Sequence, residues 1–256
     1  MHRFLTTELV DVYHFSLAVT GEEEAGLLAV LDPAEAEHAR GFPHARDRRR
    51  FAVGRGRLRQ KLGERLSLEA HEVQLQYGRF GKPKIDPNQL TDGVVHFNLA
   101  HSGELALLGL SEHGPVGVDV EQATSFSDME VVAQRVFSSS EYEEWSTSPL
   151  SSKRHHFFSL WTKKEAVLKV LGLGLSLPPR KVEVGLEGSS ESAEAPVVDG
   201  ERRSDLSVTP LELADGYLGA LALKIPRINE EGGCATSYQT ADWSGGSRKG
   251  RMHGHA

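Results

Sequence analysis

The stretch FFSLWTKKEAVLKVLG, residues 157–172, restricts the fold more than any other part of the chain. Phe157, Leu160, Trp161, Leu168 and Leu171 recur at three- and four-residue steps, the repeat of a helix laid against a core. Ser151 and Ser152 are candidate N-caps, and Gly172 and Gly174 mark the far end. On such a helix Trp161, Glu165 and Lys169 fall one turn apart, so a carboxylate and an ammonium project side by side next to a large aromatic. Taken alone, a surface ion pair worth about 0.2–0.5 kcal/mol explains this. Two upstream segments raise the stakes.

The first is VGVDVE, residues 116–121, which alternates as a strand. Val116, Val118 and Val120 share one face; Gly117, Asp119 and Glu121 share the other. Two carboxylates so placed repel unless water or a shared cation lies between them. The spacing suits Mg²⁺, which is held by one or two carboxylates together with waters and substrate phosphates. Gly117 beside the pair permits close backbone approach. A solvent-facing sheet surface would also produce this pattern. The second segment is ARDRRRFAVGRGRLRQKLGERL, residues 45–66, a helix with Phe51, Leu58, Leu62 and Leu66 on its apolar face. A solvated charged face is the ordinary explanation for its arginines. Nearly all its charges are positive, however, so they repel one another unless an anion such as a nucleotide is near.

The rest of the pattern is α+β. Strands are expected at residues 10–17, 73–77, 94–99, 104–110, 206–212 and 216–225, and helices at 33–40 and 128–136. Ser138 and Glu141 form a capping-box pattern opening a helix through Trp145. GRFGKPK, residues 78–84, reads as a turn with two cations, and His101-Ser102-Gly103 separates two strands. Residues 187–206 are acidic, serine-rich and aperiodic, as expected of a mobile insertion. The order of elements implies two α+β halves, 1–114 and 115–226, with a disordered tail at 227–256. Among 256 residues there is one cysteine, Cys234, which excludes an internal disulfide framework and a cysteine-rich zinc site. A net charge of −7 argues against a nucleic-acid partner. No apolar run is long enough to span a membrane and the N-terminus has no secretory apolar core, so a soluble, cytoplasmic protein is expected. Walker and Rossmann glycine fingerprints are absent.

If the strand and helix meet, Asp119, Glu121 and Glu165 converge, and an all-carboxylate set favours Mg²⁺ over zinc. Lys169, Lys82, Lys84, His101 and the arginine-rich helix would then surround a polyphosphate. The chemistry implied is displacement at phosphorus, where catalysis is mostly positioning and charge stabilisation.

Five blocks in order, FGKPKI (80–85), FNLAHS (97–102), GVDVE (117–121), FSSSEY (137–142) and LWTKKEAVLKVLGLGL (160–175), resemble the 4′-phosphopantetheinyl transferases of the larger, surfactin-synthetase-activating type. The resemblance runs from about residue 40 to 225 and implies a pseudo-dimeric monomer of two similar α+β halves that clamps coenzyme A with Mg²⁺, or Mn²⁺. Its implied activity is transfer of phosphopantetheine to a serine of an acyl or peptidyl carrier protein, with release of 3′,5′-ADP, in fatty-acid, polyketide or nonribosomal-peptide synthesis. Carried over by position, Asp119, Glu121 and Glu165 resemble the metal ligands, Glu165 also the general base, and Lys169 the residue beside the pyrophosphate. His101 resembles the contact to the 3′-phosphate, its neighbour Ser102 is a further cofactor-binding candidate, Lys82 and Pro83 lie near the adenine, and Arg50 and Arg55 sit on the basic helix. Carrier docking is implied beside the metal strand, with Phe126 and Met129 as candidate anchors. Ala100, Glu35 and His38 depart from the pattern, and the 46–59 arginine set is expected to substitute for missing lysines. A coenzyme A-binding regulator without catalysis and a Mg²⁺-dependent phosphohydrolase are the competing readings.

Overall fold

The computed structural model describes residues 1–225, apart from residues 8, 79–80, 91–92, 125–126, 187–194 and 214–215. The expected tail, Phe126 and the first part of the acidic insertion lie outside the described residues. The chain begins with β1 (His2–Thr6), β2 (Asp11–Ser16), α1 (Gly21–Ala29), α2 (Pro33–Arg40) and α3 (Ala45–Leu66). It continues through β3 (Leu75–Tyr77), β4 (Pro83–Ile85), β5 (His96–Ser102) and β6 (Leu105–Ser111). After Gly114-Pro115 come β7 (Val116–Gln122), α4 (Met129–Val136), α5 (Ser139–Ser146) and α6 (Leu150–Leu171). The last strands are β8 (Val182–Glu183), β9 (Val197–Val198), β10 (Glu201–Arg202), β11 (Leu206–Glu212) and β12 (Tyr217–Lys224).

Two antiparallel sheets carry the fold, one ordered β1-β2-β6-β5 and the other β11-β12-β7. Each is covered on its outer face by a 22-residue helix. Val53, Leu58 and Leu62 of α3 pack on Phe15, Phe97 and Leu108 of the first sheet. Ala166, Val167 and Val170 of α6 pack with Val208, Ala220 and Ala222 of the second. The inner faces meet in a shared core, Val12, Ala100 and Leu107 against Val116, Val118, Val120 and Leu221. Strand alternation requires this sorting, since Leu107 and Leu108 must point to opposite faces of β6. The architecture is therefore α+β in two comparable halves, layered helix, sheet, sheet, helix. At Gly109 the sheets come so close that a Cβ would lie 2.9 Å from a Val116 methyl.

Helix ends follow from local chemistry. Asp32 and Glu35 form a reciprocal capping box on α2, as do Ser138 and Glu141 on α5. Gly172 closes α6 in the left-handed region at φ 67°. The start of α6 differs from expectation: Pro149 is the N-cap and Ser151 and Ser152 lie in the first turn. The Ser152 hydroxyl donates to the Pro149 carbonyl rather than capping a backbone N–H. Helix α1 and strand β1 have no counterpart in the expected elements. Past residue 194 the supposed mobile insertion folds into the β9–β10 hairpin, and Val198 is buried in the α6 core, because two adjacent valines give that stretch something to bury.

Most of the arginines of α3 are paired within the chain, although Arg46 and Arg48 are exposed. Arg59 is fully buried, its guanidinium donating to Glu35 Oε2 at 2.5 Å, Asp32 Oδ2 at 2.6 Å and the Val73 carbonyl at 2.7 Å. Arg57 pairs with Glu23, Arg65 with Glu112 at 2.7 Å and Arg50 with Glu104 at 2.8 Å. The anions that relieve the repulsion belong to the chain itself. Arg59 is thereby withdrawn from the set expected to replace missing phosphate-binding lysines. Glu35 is a structural anchor, and His38 meets Phe42 and Phe51 edge to face.

Candidate active site

The site begins at a residue with no side chain. A Cβ at Gly117 would lie 2.1 Å from the Ala166 carbonyl oxygen and 2.7 Å from the Val170 nitrogen, so α6 crosses β7 backbone to backbone. This contact sets the Trp161–Glu165–Lys169 stripe against Asp119 and Glu121. Lys169 Nζ donates to Asp119 Oδ1 at 2.5 Å and to the Val118 carbonyl at 3.2 Å. Trp161 Nε1 reaches Glu121 Oε1 at 3.4 Å, and the Ser102 hydroxyl donates to Glu121 Oε2 at 2.6 Å. The rotation of α6 is held from its other side. Lys164, fully buried, meets Glu141 Oε2 at 2.5 Å and also the Val182 carbonyl, while Lys163 donates to the Gly185 carbonyl at 2.6 Å. Nothing in the sequence pattern singled out these two lysines, although two consecutive cations in a buried helix are a signal in themselves.

Burial and neighbouring carboxylates together raise the pKa of Asp119 and of Glu165. Burial pushes the Asp119 carboxyl up to about 7, against the pull of Lys169 and with help from Glu121 and Glu165. Glu165 is raised as well, first by burial and then by Glu121. Asp119 Oδ2 is buried without a hydrogen-bond partner. An orphaned anionic oxygen of this kind, beside two further carboxylates, fits a hard cation. As the side chains stand, no three His, Cys, Asp or Glu residues among those described are gathered tightly enough to hold an ion. The Lys169 ammonium occupies the cationic position at Asp119 instead.

The open edge of β7 faces β5. Asn98 Oδ1 accepts the Val118 N–H at 2.8 Å, and the Ser102 hydroxyl oxygen accepts the Gln122 N–H at 3.1 Å. Lys82 Nζ donates to the Val116 carbonyl at 3.4 Å and to the Lys169 carbonyl, in the last turn of α6, at 2.6 Å. Its pKa is lowered to about 8 by burial and by the nearby Lys169 charge. The turn after β5 is fastened at its far side, where the Glu104 N–H donates to the Tyr217 hydroxyl at 3.2 Å. Asn98, Glu104 and Tyr217 were not anticipated, because their partners are distant in sequence.

Two cavities flank this arrangement. One of about 320 Å³ is lined by Ser102, Glu121, Thr124, Val132, Phe157 and Trp161. The other, about 120 Å³, brings together Arg55, Lys82, Pro83 and Asn98. Arg55 lies between Phe51 and Tyr77, with Glu35 at 3.3 Å and Nη1 buried without a partner. His101 is exposed at the end of β5, and its imidazole is biased toward the neutral form by desolvation and then by the Arg50 charge. Arg50 itself is taken up by Glu104. Met129 packs partly buried against the α6 core.

Comparison with known proteins agrees with this layout. The sequence profile described as the 4′-phosphopantetheinyl transferase superfamily matches residues 115–222, and that described as 4′-phosphopantetheinyl transferase, N-terminal, matches residues 20–113. The chain is 36% identical to 4′-phosphopantetheinyl transferase HetI of Nostoc sp. over 67% of its own length and 72% of that protein. It is 30% identical to 4′-phosphopantetheinyl transferase ffp of Bacillus subtilis, over 82% of this chain and 89% of the relative. To 4′-phosphopantetheinyl transferase Sfp of Bacillus subtilis strain 168 the identity is 28%, with the same two coverages of 82% and 89%.

Proposed function

Because the chain belongs to the 4′-phosphopantetheinyl transferase superfamily, and is a transferase, we propose that it moves the phosphopantetheine of coenzyme A onto the serine hydroxyl of an acyl or peptidyl carrier protein, with Mg²⁺ and with release of 3′,5′-ADP. What supports this reading is the contact of Lys169 on α6 with Asp119 on β7 at the Gly117 crossing, with Glu121 and Glu165 near enough for their charges to raise the Asp119 pKa.

The reaction joins the serine oxygen to the β-phosphorus and breaks the bond from that phosphorus to the oxygen of the departing 3′,5′-ADP. A serine hydroxyl needs a base within reach, and Glu165 takes its proton, directly or through one water. Burial raises the Glu165 pKa toward the operating range, which suits that role. Lys169 offsets the charge that develops on the leaving phosphate, which requires it to exchange Asp119 for substrate. Asp119, Glu121 and Glu165 would hold Mg²⁺, whose chemistry is to neutralise the pyrophosphate oxygens and orient them for attack. Arg55, Lys82 and Pro83 around the smaller cavity, with Arg50 and His101 beyond the metal strand, receive the nucleotide end of coenzyme A. Carrier docking falls beside β7, where Phe126 and Met129 are the candidate anchors.

The chain divides at residues 114 and 115 on this reading, with residues 227–256 outside both halves, and works as a cytoplasmic monomer. The test is incubation with coenzyme A, Mg²⁺ and a panel of apo-carriers, followed by mass spectrometry of the carriers. A phosphopantetheine increment on at least one carrier is expected. Hydrolysis of coenzyme A at the same rate with and without carriers, and no increment, would replace the transferase by a phosphohydrolase.

A further inference from the structure

Ser102 sits where the nucleotide-facing half of the molecule meets the carboxylate strand, and its hydrogen bonds are already spoken for. A hydroxyl owns one proton and two lone pairs. The proton goes to Glu121 Oε2 at 2.6 Å, a short charge-assisted bond, and one lone pair takes the Gln122 N–H at 3.1 Å. What remains is an acceptor site. An ionised phosphate is itself only an acceptor, so Ser102 has nothing to give it without releasing Glu121.

The turn that presents Ser102 is tied to its surroundings by side chains. A Cβ at Gly103 would fall 2.6 Å from both Gln122 Oε1 and the Tyr217 hydroxyl, the tips of side chains from β7 and β12. Glu104 is tied to Tyr217 through its N–H and to Arg49 and Arg50 through its carboxylate. Glu121 is thus the most constrained of the three carboxylates: one oxygen is held by Ser102 and the other by Trp161. Asp119 by contrast keeps a bare oxygen.

We propose that Ser102 is a positioning residue for Glu121 and makes no bond to the nucleotide: its hydroxyl fixes the orientation in which that carboxylate meets the divalent ion. The proposal rests on the metal role of Glu121 given above. Partners that orient a metal ligand typically change affinity by about 10–100-fold when removed.

The test compares the wild-type protein with Ser102→Ala and Ser102→Thr. Mn²⁺ affinity is read from the free-ion electron paramagnetic resonance signal without substrate, the KM for coenzyme A is measured at saturating Mg²⁺, and melting curves are recorded alongside. Ser102→Ala is expected to bind Mn²⁺ about tenfold or more weakly, with a KM for coenzyme A close to wild type and an unchanged melt. Ser102→Thr, which keeps the donor, is expected to restore most of the Mn²⁺ affinity. Unaltered Mn²⁺ binding in Ser102→Ala would overturn the proposal, as would a large rise in the KM for coenzyme A with metal affinity intact. A threonine variant as weak as the alanine one, both folded, would also overturn it. If the wild-type protein binds no Mn²⁺ at all, the metal site falls with it, whereas normal wild-type binding and an indifferent Ser102→Ala removes this inference alone.

Discussion

Glu165 and Lys169 lie one turn apart yet answer to different neighbours, and substitutions should separate their roles. Glu165→Gln keeps the shape of the side chain and removes the base, so transfer is expected to fall to background while the melting curve is retained; unchanged turnover would remove Glu165 from the chemistry. Lys169→Ala should lower kcat more than it raises the KM for coenzyme A, since the proposed mechanism has its charge act on the leaving group. Asp119 supplies a pH signature. Its folded pKa of about 7 lies above the ordinary value of 3.8, so between those limits the folded state holds more protons than the unfolded one. Stability without divalent ions is then greatest at the acid end of that window for this group and is lost as pH rises toward 7. Asp119→Asn should flatten that slope and stabilise the metal-free protein near pH 8 by several degrees in a thermal melt. The Trp161–Glu165–Lys169 stripe was legible in the sequence because a helix places those residues by period alone. Ser102 and Glu121 are 19 residues apart on different strands, and no local rule joins them. Arg59 misled for a related reason: its carboxylate partners are 24 and 27 residues upstream, so its charge looked unanswered.

At the scale of elements, the contact of α6 with β7 is the sensitive joint. Gly117→Ala places a methyl 2.1 Å from the Ala166 carbonyl and must push the helix away. A loss of about 3 kcal/mol or more is expected by urea denaturation, with activity lost in whatever fraction remains folded. The buried Lys164–Glu141 pair holds the same helix from behind. Glu141→Gln leaves an ammonium buried without a counter-charge and should cost about 3–5 kcal/mol. The double change Glu141→Gln with Lys164→Met should recover much of that loss, since it removes the stranded charge. Long periodic elements such as α3 and β7 could be placed from the sequence to within a residue. Helix α1 could not, because two glycines, Gly21 and Gly26, in nine residues weaken its helical signal. The β9–β10 hairpin escaped notice because strands of two residues have no alternation to detect.

The whole molecule is divided by family and topology but united by its core. Val12, Ala100 and Leu107 from the first sheet, with Val10 just before β2, close on Val116, Val118 and Leu221 from the second. Calorimetry should accordingly show one cooperative transition, and a fragment ending at residue 114 should expose that apolar face and fail to give a dispersed NMR spectrum. Two separate transitions would mean that the halves are independent. Their pairing was only partly visible beforehand: chain order gave two α+β halves, but which faces meet depends on strand register across the molecule.

The side chains that meet the outer margin of β7 have one more consequence. Asn98, Ser102, Lys82 and Lys169 already satisfy main-chain groups of residues 116, 118 and 122 there. A visiting polypeptide would find those rungs already taken. On the proposed function, a carrier presenting its serine to Glu165 is expected to dock through side-chain surfaces and reach inward with a single residue, rather than add a strand at those positions.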